Sequence, residues 1–223
     1  MSPVNNKNLK GVFSMKKWTS ILVTVLLVLS MTTAFAAVPS KTTTNTAAVT
    51  TITSVSGAEL AETFKVTVAE ADDEDVVKEI QKIYTFVSDG NAPVEYFPVE
   101  VKEQIVAKLP ETIVAADVEI NEFVTIDQTD YEESYGDVKA SFRFTTVYAP
   151  EQSLVAVVGI FTGEVAENGE PIVEWIVLDA VANEDGTVEV TFTADAMLKI
   201  QNAATTSLAI INTPAVETEA VAE

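Results

Sequence analysis

The chain has 223 residues, 34 of them acidic against 13 basic, and it contains neither Cys nor His. Without thiols there is no disulfide, no thiolate nucleophile and no thiolate metal site; without imidazole there is no Ser-His-Asp triad and no common zinc or copper ligand set. The net charge of −21 repels nucleic acid phosphates and anionic lipid head groups, so DNA, RNA and membrane-surface binding are disfavoured, while high solubility or a cationic partner suits it.

In chain order, residues 1–36 read as a secretory signal peptide. Lys16 and Lys17 precede the apolar residues 21–29, interrupted only by Thr24, and Ala34-Phe35-Ala36 supplies the small-residue cleavage pattern. Met15 opens Met-Lys-Lys-Trp and is a plausible true start. The rival reading is an uncleaved anchor, because residues 18–38 carry no charge and roughly 20 such residues cross a bilayer as a helix. Four basic residues and no acidic one lie in this leader, so a mature chain from Ala37 keeps nine basic against 34 acidic groups, a net of −25. The expected location is outside the cell or at its surface.

Residues 37–58, dominated by Thr, Ala and Ser without a sustained apolar period, read as an extended linker. Residues 59–211 read as the globular body and 212–223 as a frayed acidic tail. The body opens with a short strand in which Phe64, Val66 and Val68 alternate with Lys65 and Thr67. A helix follows, capped by Asp72 or Asp73, carrying Glu74 and Asp75 at the positive end of its dipole and ending before Gly90. Its stripe is Val76, Val77, Ile80, Ile83, Tyr84 and Val87. A second helix starts at Pro98 and stops before Pro110, with Val101, Ile105, Val106 and Leu109 facing inward.

From Val118 the period becomes two. Val138, Ala140, Phe142 and Phe144 point one way and Lys139, Ser141, Arg143 and Thr145 the other. Residues 154–161 are apolar on both faces and so central; residues 172–178 are similar, and Asn168-Gly169 makes the turn between them. A turn at Asp185-Gly186 leads into Val188, Val190 and Phe192. A short helix around Met197 and Ile200, capped by Thr193 or Asp195, precedes a last strand at 207–211. Two N-terminal helices packed on five or six antiparallel strands predict an α+β body, sandwich-like in its C-terminal half.

Candidate chemistry is sparse. Asp72, Asp73, Glu74 and Asp75 crowd four carboxylates together, but in a helix's first turn they point apart, and dipole complementarity accounts for them. Residues 183–186 resemble the middle of an EF-hand loop, yet Val181 and Phe192 occupy its anchor positions and reject the motif. Asp127, Asp130, Glu132, Glu133 and Asp137 fall in what reads as a loop before the first long strand, where several oxygens can bend around one calcium ion; Asp127, Asp130, Glu132 and Asp137 are the candidate ligands. The alternative is an ordinary solvated loop.

Carboxylate pairs remain the one acid-base route. Glu174 is the most suggestive carboxylate, lying beside Trp175 in an apolar strand, unless it reaches water at a strand edge. Tyr96, Tyr131 and Tyr135 are candidate stacking residues for a sugar ring or a protein partner, or else lids on a core edge. No phosphate loop occurs. The expectation is an exported, non-enzymatic binding module for an extracellular protein or glycan, with no cofactor except a possible calcium ion. The alternatives are a carboxylate-dependent polysaccharide hydrolase and a calcium-dependent adhesive or wall-associated protein.

Overall fold

Thr, Val and Ile suit a pleated, half-buried surface, and in this chain they build eight antiparallel strands. The computed structural model describes residues 47–150 and 152–213. The expected signal peptide, the first part of the expected linker and the tail from residue 214 lie outside the described residues. Strands β1 (Ala48–Ser54) and β2 (Lys65–Ala69) come first, then helices α1 (Glu74–Ser88) and α2 (Val99–Lys108). There follow β3 (Glu119–Thr129), β4 (Val138–Arg143), β5 (Ser153–Val165), β6 (Pro171–Ala182) and β7 (Val188–Phe192), then α3 (Ala194–Asn202) and β8 (Thr205–Asn212).

All strands join one sheet in the order β1-β4-β7-β6-β5-β8-β3-β2. The edge strands β1 and β2 lie beside each other without pairing, so the sheet is curled nearly into a barrel. Two expectations are corrected here. The sandwich gives way to a single curled sheet, because each successive antiparallel strand adds twist in the same hand. The helices are not N-terminal, since two strands precede them and one of these, β1, lies within residues 37–58. Thr50, Thr51 and Thr53 give that segment its polar look, yet they are β-branched residues on the wet side of an edge strand, while Val49 and Ile52 turn towards the core.

The interior is lined by alternate residues of every strand. Val124 and Ile126 of β3, Ala140 and Phe142 of β4, Val158 of β5, Val190 and Phe192 of β7 and Ile210 of β8 are all essentially inaccessible. Strand β5 pairs with both β6 and β8, which explains its two apolar faces: Ala156 and Val158 point in, Val155, Val157 and Phe161 point out. The outward set is covered by α1 through Val76, Ile80 and Ile83, and by α2 and the segment before it through Val94, Phe97, Val101 and Ile105. Val106, expected to face inward, is exposed, because the α2 stripe is only one residue wide at that turn. Gly159 is required where it stands: a Cβ there would lie 2.8 Å from the Trp175 ring of its paired strand.

Local signals act where they were expected. Asp73 caps α1, its Oδ1 accepting from the N–H groups of Asp75 and Val76, and Gly90 follows with φ +89°. Gly169 and Gly186, at φ +81° and +78°, turn the β5–β6 and β6–β7 hairpins. Thr193 caps α3, which buries Ala196, Met197 and Ile200 in one end of the barrel.

Candidate functional site

The acidic segment is divided between elements that point its carboxylates apart. Asp127 belongs to β3 rather than to a loop, and its Oδ1 accepts from the N–H of Gln128. Asp130 takes a left-handed φ of 57°, a conformation Asp tolerates. Glu132 accepts from Ser134, and Asp137 accepts from the backbone N–H of Ala194 at the start of α3. Among the described residues no group of three or more carboxylates could hold a metal ion. The structure thus does not gather Asp127, Asp130, Glu132 and Asp137 into one group.

Tyr131 and Tyr135 are buried, 5% and 4% exposed, and form a trio with Phe64 at ring separations of 5.5–6.0 Å. The Tyr131 hydroxyl donates to the Gly136 carbonyl at 2.8 Å, and the Tyr135 hydroxyl accepts from the Ala61 N–H. Both rings close the barrel at the α3 end. Glu174 reaches water, 2.8 Å from the Lys199 ammonium, which also pairs with Asp195.

Tyr96 lies elsewhere, in a short 3-10 turn before α2. Its ring meets Phe86 edge to face at 5.7 Å, and its hydroxyl donates to Glu79 Oε1 at 2.7 Å. Burial and this carboxylate push the Tyr96 phenol above its ordinary range. Phe86 and Tyr96, both half-buried, stand in a furrow of about 530 Å³ along α1, rimmed by Gln81, Lys82, Thr85 and Asp89 and closed by Glu170 of the β5–β6 turn. Lys82 pairs with both Glu79 and Glu170, and Lys78 with Glu74, so both basic groups of the furrow are paired with carboxylates in or beside it.

Two buried carboxylates escaped sequence reasoning. Glu79 lies one turn from Val76 and Ile83, a spacing that puts it on the inward side of α1. Glu122 shares the inward row of β3 with Val124, Ile126 and Gln128, and this period-two signal was available. It is fully buried at the barrel end opposite α3. Its Oε1 accepts from the N–H of Thr146 at 3.0 Å, while its Oε2 and the nearby buried Tyr148 hydroxyl have no hydrogen-bond partner among the described residues. Burial foremost, then the charges of Glu122 and Glu119, raises the Tyr148 phenol. Glu122 lies inside the barrel and Glu79 on its outer layer, so the two do not form a pair across a cleft.

On the other flank of α1 lies a second cavity, of about 370 Å³, between Ile83, Tyr84 and Val87 of α1, Asn91 and Pro93 beyond it, and the start of β3 at Glu119, Ile120 and Asn121. Among the described residues no helix is long and apolar enough to cross a membrane. No protein family, curated protein or solved structure matches the chain.

Proposed function

We propose that the chain is exported and acts at or outside the cell surface as a binding module rather than an enzyme, meeting an extracellular protein or a glycan through the furrow beside α1. Export rests on the Lys-led apolar leader and its small-residue cleavage pattern. The observation that carries the binding reading is the half-buried Phe86–Tyr96 pair set among amide, hydroxyl and carboxylate groups. An aromatic face supplies contact area at little entropic cost, and the polar rim supplies orientation. The barrel interior offers no such surface, because Phe142, Phe192, Met197, Leu208 and Ile210 fill it.

The test is retention of the purified chain on an oligosaccharide array and on immobilised extracellular matrix proteins, with Phe86→Ala alongside. Phe86 is half-buried and belongs to none of the buried core clusters, so the variant keeps the core. Saturable binding to at least one surface, weakened about tenfold or more in the variant, supports the reading. Equal binding by the two proteins removes the furrow from it.

A further inference from the structure

The two cavities beside α1 differ in charge. In the furrow, lysines and carboxylates neutralise one another. The 370 Å³ cavity on the other flank has no basic residue in its lining, and its one charged group is Glu119. Glu119 is exposed, and its Oε2 accepts from the Asn121 amide at 3.1 Å, a neutral donor that leaves the carboxylate its charge. Six lysines, Lys78, Lys82, Lys102, Lys108, Lys139 and Lys199, pair with other carboxylates. The floor is apolar, with Ile83, Val87 and Ile120, and it carries one aromatic ring, Tyr84. Glu122 lies near enough for its charge, after burial, to raise the Tyr84 phenol.

We infer that this cavity is a binding site for a small organic cation, an ammonium carried on an apolar body. The volume falls in the range of small-molecule pockets, roughly 300–1,000 Å³. The apolar floor takes the body, Glu119 takes the charge, and the Tyr84 ring adds the attraction of an aromatic face for a cation. An anionic ligand meets Glu119 with no counter-charge, and a neutral one leaves it unused.

Calorimetric or NMR titration of the whole chain with three probes tests this: benzyltrimethylammonium, which has charge and body; benzyl alcohol, which has the body; and tetramethylammonium, which has the charge. The expected result is saturable one-to-one binding of benzyltrimethylammonium, at least about tenfold tighter than either of the others. Glu119→Gln should weaken it about fivefold, whereas Glu167→Gln, which removes the same charge from an exposed turn, should leave it unchanged. Melting curves of the two variants establish that both are folded. Equal affinity for the neutral and charged probes, no saturable binding, or an equal loss in the two variants would overturn the assignment, the last by exposing a bulk effect of the chain's acidity.

Discussion

At one end of the barrel, α3 enters the interior with Met197, and Tyr131, Tyr135 and Phe64 close over it with both hydroxyls bonded. At the other end, residues 144–150 fold over Glu122, and there a carboxylate oxygen and the Tyr148 hydroxyl are buried without partners among the described residues. Aromatic rings are buried at both ends, and at the first Gln128, whose Oε1 accepts from the Tyr131 N–H, leaves its Nε2 without a partner among the described residues, but only the second end leaves a carboxylate oxygen so. A buried polar group that is bonded contributes a net stabilisation of about 1 kcal/mol, whereas an orphan keeps its whole desolvation penalty, about 1–3 kcal/mol and more when charged. The first end is thus a structural plug. The second holds the larger local cost, because its orphans include a carboxylate oxygen, and the surrounding core offsets it.

The comparison can be broken most directly at the plug. Met197→Ala removes a side chain that is 1% exposed and should destabilise the fold by about 2–5 kcal/mol, measured by urea unfolding. A loss below 1 kcal/mol would mean that α3 is not holding that end. The opposite sign is expected at the other end. Glu122→Met keeps the bulk and removes the orphan oxygen, at the expense of the Thr146 N–H bond, and should stabilise the protein by roughly 1–3 kcal/mol; destabilisation of that size would mean that Glu122 is satisfied in solution.

Two hydroxyl deletions sharpen the contrast. Tyr131→Phe removes a bond to Gly136 and should cost about 1 kcal/mol, while Tyr148→Phe removes a hydroxyl without a partner and should cost nothing or stabilise slightly. Equal losses in the two variants would erase the distinction between the ends. The smallest effect is a pH dependence. The phenols of Tyr84, Tyr96, Tyr131 and Tyr148 are all raised above the ordinary value of 10.0, with burial the leading cause. A raised folded-state pKa contributes stability that is fully present below about pH 10 and is lost as pH climbs through the folded value. Unfolding free energy should therefore fall above about pH 10, and less steeply in Tyr148→Phe. With no His or Cys, no side chain of ordinary pKa titrates between the carboxylates and this alkaline limb.

Much of the secondary structure was legible because local chemistry governed it. The α1 stripe with its Asp73 cap, the hairpin glycines at 169 and 186, the Thr193 cap and the two-sided apolar strand β5 are each written within a few residues of sequence. Strand β1 was not legible. Its Thr-rich stretch lacks an apolar period because only Val49 and Ile52 reach the core, and it becomes a strand through pairing with β4, some 90 residues away. The acidic segment was misleading for a related reason: charge density is a property of sequence, whereas convergence of oxygens depends on where β3 ends and α3 begins. Tyr131 and Tyr135 read from sequence as candidate stacking residues, and the structure buries both with their hydroxyls bonded within the plug. Glu79 and Glu122 could have been found from their spacing to the apolar rows, since the periodicity that buries Val76 and Val124 buries them as well.

By itself the sequence determined the acidic charge, the absence of thiol and imidazole chemistry, and the period of most elements, because composition and near-neighbour spacing are fixed by the order of residues. Only the tertiary structure decided that the sheet curls nearly into a barrel, which carboxylates are buried, that the tyrosines of the acidic loop are core, and that α1 is flanked by two cavities of different charge. Those outcomes depend on strand order and long-range register, and they bring together groups such as Glu122 with Thr146, or Phe86 with Glu170, whose proximity no local pattern encodes.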